Sequence, residues 1–349
     1  MCISLMNAMK QLVDRYVPLS GLLCLLMALP LLFSCSGKGS SKGGGLFGAT
    51  GKPLEMVVVL PDGYDTEALR DSVKQALSMP MMVLPQNEQL LTVMITGERD
   101  FSQMFKSLRN ILYITIDEER YTGPSIGISR DQFAGGQLLI HARAESLESI
   151  YRLLRLKGKS IADMIYKEEL VRLSHAFDQT YSSEVAKLMK EQIGGWTIRV
   201  NTDLEYTHTG DHFLWASDQG VKGRTDFFAF TYPYEGPQSL ELDRIIAARD
   251  SVLQQNVAGA HEGSYMSTEH RVPQVVRHVE ANGIPRTEVR GLWAMVGDMM
   301  GGPFVLHAIK DEANKRVLVV EVVVYYPGGP KKNLMLLAES QLYTLEAAE

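Results

Sequence analysis

The residues best placed to form a binding or reactive site lie between Trp293 and His307. Two expected strands carry these side chains and flank a turn that includes Asp298, Gly301 and Gly302. Glycine lets a backbone approach a ligand closely, and a carboxylate and an imidazole can supply polar contacts. A tight hairpin explains the same glycines, and Trp293 then belongs to the core. The pattern favours the hairpin and leaves these five residues as candidate binding residues.

A second pattern, Gly123–Gly127, matches the nucleophile elbow of serine hydrolases. That elbow needs a strand before the serine and a helix after it. The residues that follow Ser125 have no helical periodicity, so the sequence predicts a loop and no nucleophile here.

Two histidines, His208 and His212, flank Asp211 and offer imidazole and carboxylate ligands to a metal. Threonine and glycine around them favour a hairpin loop, in which a spacing of four does not place both rings on one face. We therefore predict no metal site, and no pattern in the chain indicates a cofactor.

Cys35 ends a short apolar leader. Leu22–Phe33 contains twelve apolar residues with Lys10 and Arg15 upstream, which fits a signal peptide and is shorter than the ~20 residues that span a bilayer. Leu32–Cys35 resembles the bacterial lipobox. The resemblance implies that the Cys35 thiol takes a diacylglyceryl group and that the new amino terminus is acylated after cleavage, which anchors a protein stably. An uncleaved membrane helix is the alternative.

Sorting and partners follow from the same region. Ser36 after the lipobox implies, by resemblance, the outer membrane, and we expect the periplasmic face. Residues 36–45 contain only Ser, Gly and Lys and predict a flexible tether.

The formal net charge of the chain is −6, which does not favour binding to nucleic acid. The expected partners are the membrane, through the anchor, and an envelope protein.

The expected fold is α+β, with two domains that each have a mainly antiparallel or mixed sheet with helices on one face. Residues 1–34 form the signal peptide, 35–50 the tether, 51–193 the first domain and 194–349 the second. The first domain has expected strands at 54–60, 91–96, 111–116 and 137–142, the last at an edge, and helices at 64–77, 146–156 and 160–192. An apolar stripe runs along the last helix, which at 1.5 Å per residue spans ~50 Å and joins the two domains.

The second domain has expected strands at 196–200, 213–217, 226–231, 274–280, 287–296, 304–309 and 316–325, with helices at 239–254 and 333–345. Alternation places Val289, Gly291, Trp293 and Met295 on one face of their strand, which we expect to pack against the closing helix.

A cluster of basic residues, Arg152, Arg155, Lys157 and Lys159, lies at the turn expected between two helices. A solvated face is the favoured interpretation. The alternative is a patch for anionic lipid, which the tether would allow to reach a membrane.

Six short segments of the second domain resemble a Bacteroidota lipoprotein family catalogued as a domain of unknown function. They are Phe213–Ser217, Tyr232–Tyr234, Glu262–Met266, Gly291–Trp293, Met300–Phe304 and Leu342–Leu345. With the lipobox, the resemblance covers about residues 51–345. It implies a shared fold and location and brings no catalytic residues. Trp215, in the first of these segments, completes the set of candidate binding residues.

These observations predict a lipid-anchored envelope protein with a non-enzymatic role in binding or envelope assembly. The alternative function is an envelope hydrolase that uses the region of Asp298 and His307.

Overall fold

Five strands form the first sheet in the order β2-β1-β3-β5-β4. The first four strands in this order are parallel, and β4 is antiparallel to β5. The computed structural model describes residues 46–220 and 223–348. The strands are β1 Glu55–Leu60, β2 Thr92–Gly97, β3 Asn110–Ile116, β4 Ser125–Arg130 and β5 Leu138–Ala144. The nearly continuous apolar run in β1 is buried on both faces, as is typical of a central parallel strand.

One face of this sheet is covered by helices α1, Glu67–Leu77, and α3, Leu147–Ser174. Their apolar positions share a core with the strands. The short helix α2, Gln103–Lys106, lies at a smaller apolar cluster built around Phe101 on the other face. The sheet is therefore mixed and has its main helical layer on one side.

The helix boundaries differ from those expected. No break occurs near residues 157–159, because Gly158 lies inside α3 where it packs against α1. The chain instead leaves the helix through a 3-10 turn at His175–Phe177 and begins α4, Ser183–Gln192, at the cap Ser182. Residues 178–182 contain neither Gly nor Pro, so composition gave no sign of the break. α3 has 28 residues and spans ~42 Å.

Two strand assignments in the first sheet were also wrong. Residues 125–130, expected in a loop, form β4. The strand near residue 140, expected at an edge, lies between β3 and β4, and β4 is the edge. β4 has an exposed alternating pattern, so it lacks the apolar run that revealed the buried strands.

Eight antiparallel strands form the second sheet, in the order β10-β12-β13-β14-β9-β8-β7 with β11 also paired to β12. The strands are β7 Tyr206–Gly210, β8 Phe213–Ser217, β9 Arg224–Pro233, β10 Tyr265–Thr268, β11 Val275–Ala281, β12 Ile284–Val296, β13 Gly301–Asp311 and β14 Arg316–Tyr325. Two-residue strands β6 Trp196–Thr197 and β15 Glu346–Ala347 pair with each other. Alternating or valine-rich stretches produce β8, β9 and β11 to β14 near their expected positions. Strands β7 and β10 were not predicted, and only Trp196–Thr197 of the strand expected at 196–200 is paired.

Helices lie on both faces of the second sheet, whereas the sequence predicted helices on one face. Helix α6, Lys332–Leu342, and the long helix α3 pack on one face, which we call the α6 face. Helix α5, Leu242–Asn256, packs on the other, the α5 face. The predicted fold class is confirmed: the chain is α+β, with two sheet-rich domains and a long helix between them. One apolar core continues from the first sheet through α3 to the α6 face.

Candidate functional site

A groove of about 730 Å³ opens on the second sheet. It is bounded by strands β11, β12 and β13 and by the turn that leads into α5. We call it the β11–β13 groove. Its lining comprises Pro237, Leu240, Glu241, His278, Val279, Ile284, Pro285, Arg286, Thr287, Ala308, Ile309, Lys310 and Glu312. More than half of these residues are apolar, and the volume lies within the ~300–1,000 Å³ typical of small-molecule sites.

Strand register builds the floor of the groove. His278 lies opposite Thr287, and Thr287 lies opposite Ala308, so the three residues stand side by side on neighbouring strands. Cross-strand partners have Cβ atoms only ~5 Å apart. Thr287 and Ala308 are buried, whereas His278 is exposed at the edge. The floor is therefore small and apolar, with a hydroxyl at its centre and an imidazole at its margin.

Charged side chains stand at the rim. The Lys310 ammonium is 2.9 Å from Glu312 and 5.1 Å from the centre of the Tyr234 ring. The hydrogen bond from Lys310 to Glu312 raises the pKa of Lys310, so this group stays cationic. Glu241, the N-cap of α5, also lines the groove. A ligand with an apolar body and a polar end fits this arrangement.

Trp293, Gly301 and Gly302 lie outside the groove, farther along the same sheet. Trp293 is buried on the α5 face, with its ring centre 6.1 Å from that of Tyr325. The expectation that it packs against the closing helix was wrong: α6 lies on the other face. The predicted alternation of side chains along this strand was right. Which helix covers which face depends on how the helices pack in the folded chain.

The two glycines allow neighbouring strands to approach closely. A Cβ at Gly301 would lie 2.8 Å from the carbonyl oxygen of Trp293, and one at Gly302 would lie 2.0 Å from that of Val324. Of Gly297, Gly301 and Gly302, only Gly297, which lies in the turn itself, has a positive φ, at 81°. The glycine-rich segment thus serves the packing of a hairpin.

Asp298 and His307 do not come together. Asp298 lies in the turn between β12 and β13, where its Oδ1 accepts a hydrogen bond of 2.6 Å from the Met299 N–H. His307 is fully buried inside β13 and points to the α6 face. A turn residue and a core residue in this arrangement offer no shared site for a substrate.

His307 belongs to a buried ionic network on the α6 face. Its Nδ1 is 3.3 Å from Arg286 Nη1, and its Nε2 is 3.8 Å from a carboxylate oxygen of Glu288. Burial lowers the pKa of His307, and the neighbouring Arg286 lowers it further, against the raising effect of Glu288. The neutral imidazole therefore accepts at Nδ1 from Arg286.

Arg290 is the centre of this network and joins it to the long helix. Its Nε donates to Glu288 at 2.7 Å and its Nη1 to the Tyr166 hydroxyl at 3.1 Å, while Nη2 donates to Glu339. Tyr166 also donates to Glu339. The four groups come from α3, β12 and α6 and are buried, so the network fastens the first domain to the second.

Trp215 is half-buried near the far edge of the second sheet. Its Nε1 donates to Asp226 at 3.0 Å, and its ring meets Tyr206 edge to face at 5.2 Å between centres. Asp226 also accepts from Arg224. Strands β14 and β9 lie between β8, which carries Trp215, and β13, the nearest strand of the groove, so Trp215 and the groove are separate features.

The histidines considered for a metal lie in the hairpin of β7 and β8. His208 is on β7, with its ring edge to face against Phe213, and His212 is in the turn with positive φ. Within residues 46–220 and 223–348, no cluster of three His, Cys, Asp or Glu side chains is suited to hold a metal ion.

The leader and Cys35 lie outside the described residues. Among the helices that are described, none combines the length and the apolarity needed to cross a membrane.

Family models match both domains. The model described as Domain of unknown function (DUF8532) matches residues 49–178, and Domain of unknown function (DUF4837) matches residues 182–344. The predicted resemblance to proteins catalogued as a domain of unknown function is therefore confirmed. The Bacteroidota origin and the family's lipoprotein character stay predictions. The two matches meet at the connection between α3 and α4, at residues 178–182. The domain boundary predicted from the sequence lies later, after residue 193, and so follows α4. Helix α4 packs against the second sheet.

No curated protein matches the chain. Solved structures with partial likeness include a mutant of protein Mog1, at 8% identity and a TM-score of 0.29 over 44% of this chain and 91% of that one. The Saccharomyces cerevisiae Ran-binding protein Mog1p has 8% identity and a TM-score of 0.28 over 44% and 90%. Scores this low carry no argument about fold or function.

The groove escaped the sequence analysis because its parts are far apart in the chain. Pro237 and Leu240 come from a turn, and the floor comes from strands some forty to seventy residues later. The strand that carries His278 was predicted, but the sequence did not predict which residues of the neighbouring strand lie opposite it. One signal of the groove in the sequence was the small residue Ala308 among the large apolar residues of β13.

Proposed function

We propose that the protein is a lipid-anchored binding protein of the bacterial cell envelope, without catalytic activity, and that the β11–β13 groove holds its ligand. The observation that carries the proposal is the groove itself, which has an apolar floor and charged groups at the rim. Its volume of about 730 Å³ suits a small amphipathic molecule with a compact apolar body. Anchoring through Cys35 in the outer membrane, facing the periplasm, is part of the proposal and is supported by the lipobox.

The geometry does not favour the alternative of an envelope hydrolase. A nucleophile, a base and an orienting group must meet within hydrogen-bond reach. Asp298 and His307 are nine positions apart in the chain, and their surroundings differ: Asp298 lies in a turn and His307 lies in the core.

The binding proposal is tested with N-phenyl-1-naphthylamine, a neutral apolar fluorophore that brightens on leaving water. The full chain should bind it saturably at one site. Pro285→Phe places a large ring at an exposed position of the groove and should weaken binding severalfold. Pro273→Phe is the matched control, because Pro273 is also exposed but does not line the groove.

Absence of saturable binding by the parent protein would refute the groove as an apolar binding site. Equal effects of the two substitutions would also do so, because they would place the fluorophore elsewhere.

A further inference from the structure

A second hollow, of about 420 Å³, opens between helices α1 and α3 on their solvent side. We call it the α1–α3 hollow. Its lining is Ser72, Gln75 and Ala76 from α1 and Tyr151, Arg155 and Lys159 from α3. Five of the six side chains are polar, and the two charged ones are both cationic.

Helix geometry explains why these side chains converge. Gly158 marks the closest approach of the helices, since a Cβ there would lie 2.3 Å from the carbonyl oxygen of Ala76. Tyr151, Arg155 and Lys159 follow one another at intervals of four and so share one face of α3. The close crossing brings this face against α1, and the polar ends surround the space beside the crossing.

The polar groups of the hollow are not used by the fold. Within the described part of the chain, Arg155 and Lys159 have no carboxylate within 4.0 Å, and the side chains of Ser72, Gln75 and Tyr151 form no hydrogen bond. By contrast, the nearby Asp71 on α1 is already paired with Lys74 at 3.1 Å. The hollow thus presents free donors to a ligand, in a protein whose net charge is −6.

The surroundings of the hollow point to a membrane surface. Arg152 and Lys157 are exposed and extend the positive charge along α3. Leu156 lies among these cations with 66% of its surface exposed. Basic side chains around an exposed apolar one are typical of helices that lie at a bilayer interface.

We propose that the α1–α3 hollow binds the phosphate of an anionic phospholipid at a membrane surface. Arg155 and Lys159 donate charge-assisted hydrogen bonds to the phosphate oxygens, and the hydroxyls of Ser72 and Tyr151 complete the site. Leu156 enters the boundary between headgroups and acyl chains. This site is independent of the β11–β13 groove and gives the protein a defined orientation on the membrane.

The test measures the reactivity of Lys159 with an amine-selective reagent, read by mass spectrometry on the full chain. Three conditions are compared: neutral phosphatidylcholine vesicles, vesicles that also contain phosphatidylglycerol, and inorganic phosphate without vesicles. Labelling of Lys159 should fall only with phosphatidylglycerol and recover at high salt. Lys187, exposed on α4, is the internal control and should react equally in all conditions.

Arg155→Gln should raise the amount of phosphatidylglycerol vesicles needed for half-protection of Lys159 about fivefold, the usual effect of one basic side chain near an anionic surface. Lys190→Gln, on α4, should leave it unchanged. Equal labelling on neutral and anionic vesicles would overturn the proposal, as would equal effects of the two substitutions. Protection by inorganic phosphate alone would assign the hollow to a free anion instead of a lipid. Neither readout involves the fluorophore, so the two proposals fail separately.

Discussion

Replacing Arg290 by methionine should weaken the contact between the two domains and lower the free energy of unfolding. Methionine keeps much of the apolar stem but removes the guanidinium, which leaves Glu288 and Glu339 buried without their cation. Breaking a buried ion pair from one side costs ~3–5 kcal/mol. For a chain of this size, that loss lowers the melting temperature by on the order of 10 °C.

The pH dependence of the loss provides a second, sharper signature. Burial raises the pKa of Glu339. Desolvation also raises the pKa of Glu288, but Arg290 and His307 together outweigh it and lower that pKa below its usual range. Without Arg290, both glutamates should have folded-state pKa values above the unfolded value of ~4.3. Each then destabilises the fold increasingly as pH rises above that value, because the folded state holds protons that the unfolded state has released. The variant should therefore lose more stability at pH 8 than at pH 5.

The assay is thermal and chemical unfolding of the parent and variant, followed by circular dichroism at both pH values. The control is Arg271→Met, which removes a cation from an exposed pair with Glu269; the Arg271 side chain is 89% exposed. The control should melt with the parent. A variant at Arg290 that melts with the parent at pH 8 would refute the view that this network fastens the domains.

Three further outcomes are expected. Trp293→Ala should cost ~3–5 kcal/mol of unfolding free energy, as core aromatic truncations do, whereas Asp298→Ala in the turn should cost only ~0.5–1 kcal/mol; a stable Trp293→Ala protein would contradict the core assignment. Burial lowers the pKa of His307, so its contribution to stability is complete above the unfolded pKa of ~6.5 and is lost as pH falls through and below that value; His307→Gln should reduce the slope of stability between pH 7.5 and 5.5, and an unchanged slope would count against a neutral buried imidazole. Cys35→Ser should move the protein out of the membrane fraction, and retention there would contradict lipid anchoring.

Strands with strong local patterns were predictable residue by residue. Phe213–Ser217 and Arg316–Tyr325 have the bounds expected from sequence, because each is a compact apolar stretch between turn residues. The strand Ser125–Arg130 was missed because its exposed side chains show no apolar pattern. A strand at the edge of a sheet does not need such a pattern.

The interpretation of Gly158 shows a different limit. Glycine usually weakens a helix, so the basic residues around it were placed in a turn. In the structure the glycine admits the backbone of α1, a contact between residues more than eighty positions apart. The same crossing creates the α1–α3 hollow, which Arg155 and Lys159 line.

The sequence by itself determined the α+β class, the alternation that places Val289, Gly291, Trp293 and Met295 on one face of their strand, and the short apolar leader that predicts lipidation at Cys35. These are local properties, set by the periods of helices and strands and by the length of an apolar run. The tertiary structure alone decided which helix covers which face and which strands lie side by side. Both sites depend on such neighbours: Thr287 acquires its groove from β11, β13 and the turn before α5, and Arg155 acquires its hollow from α1. Contacts between distant segments depend on how whole layers pack, and no local pattern encodes that packing.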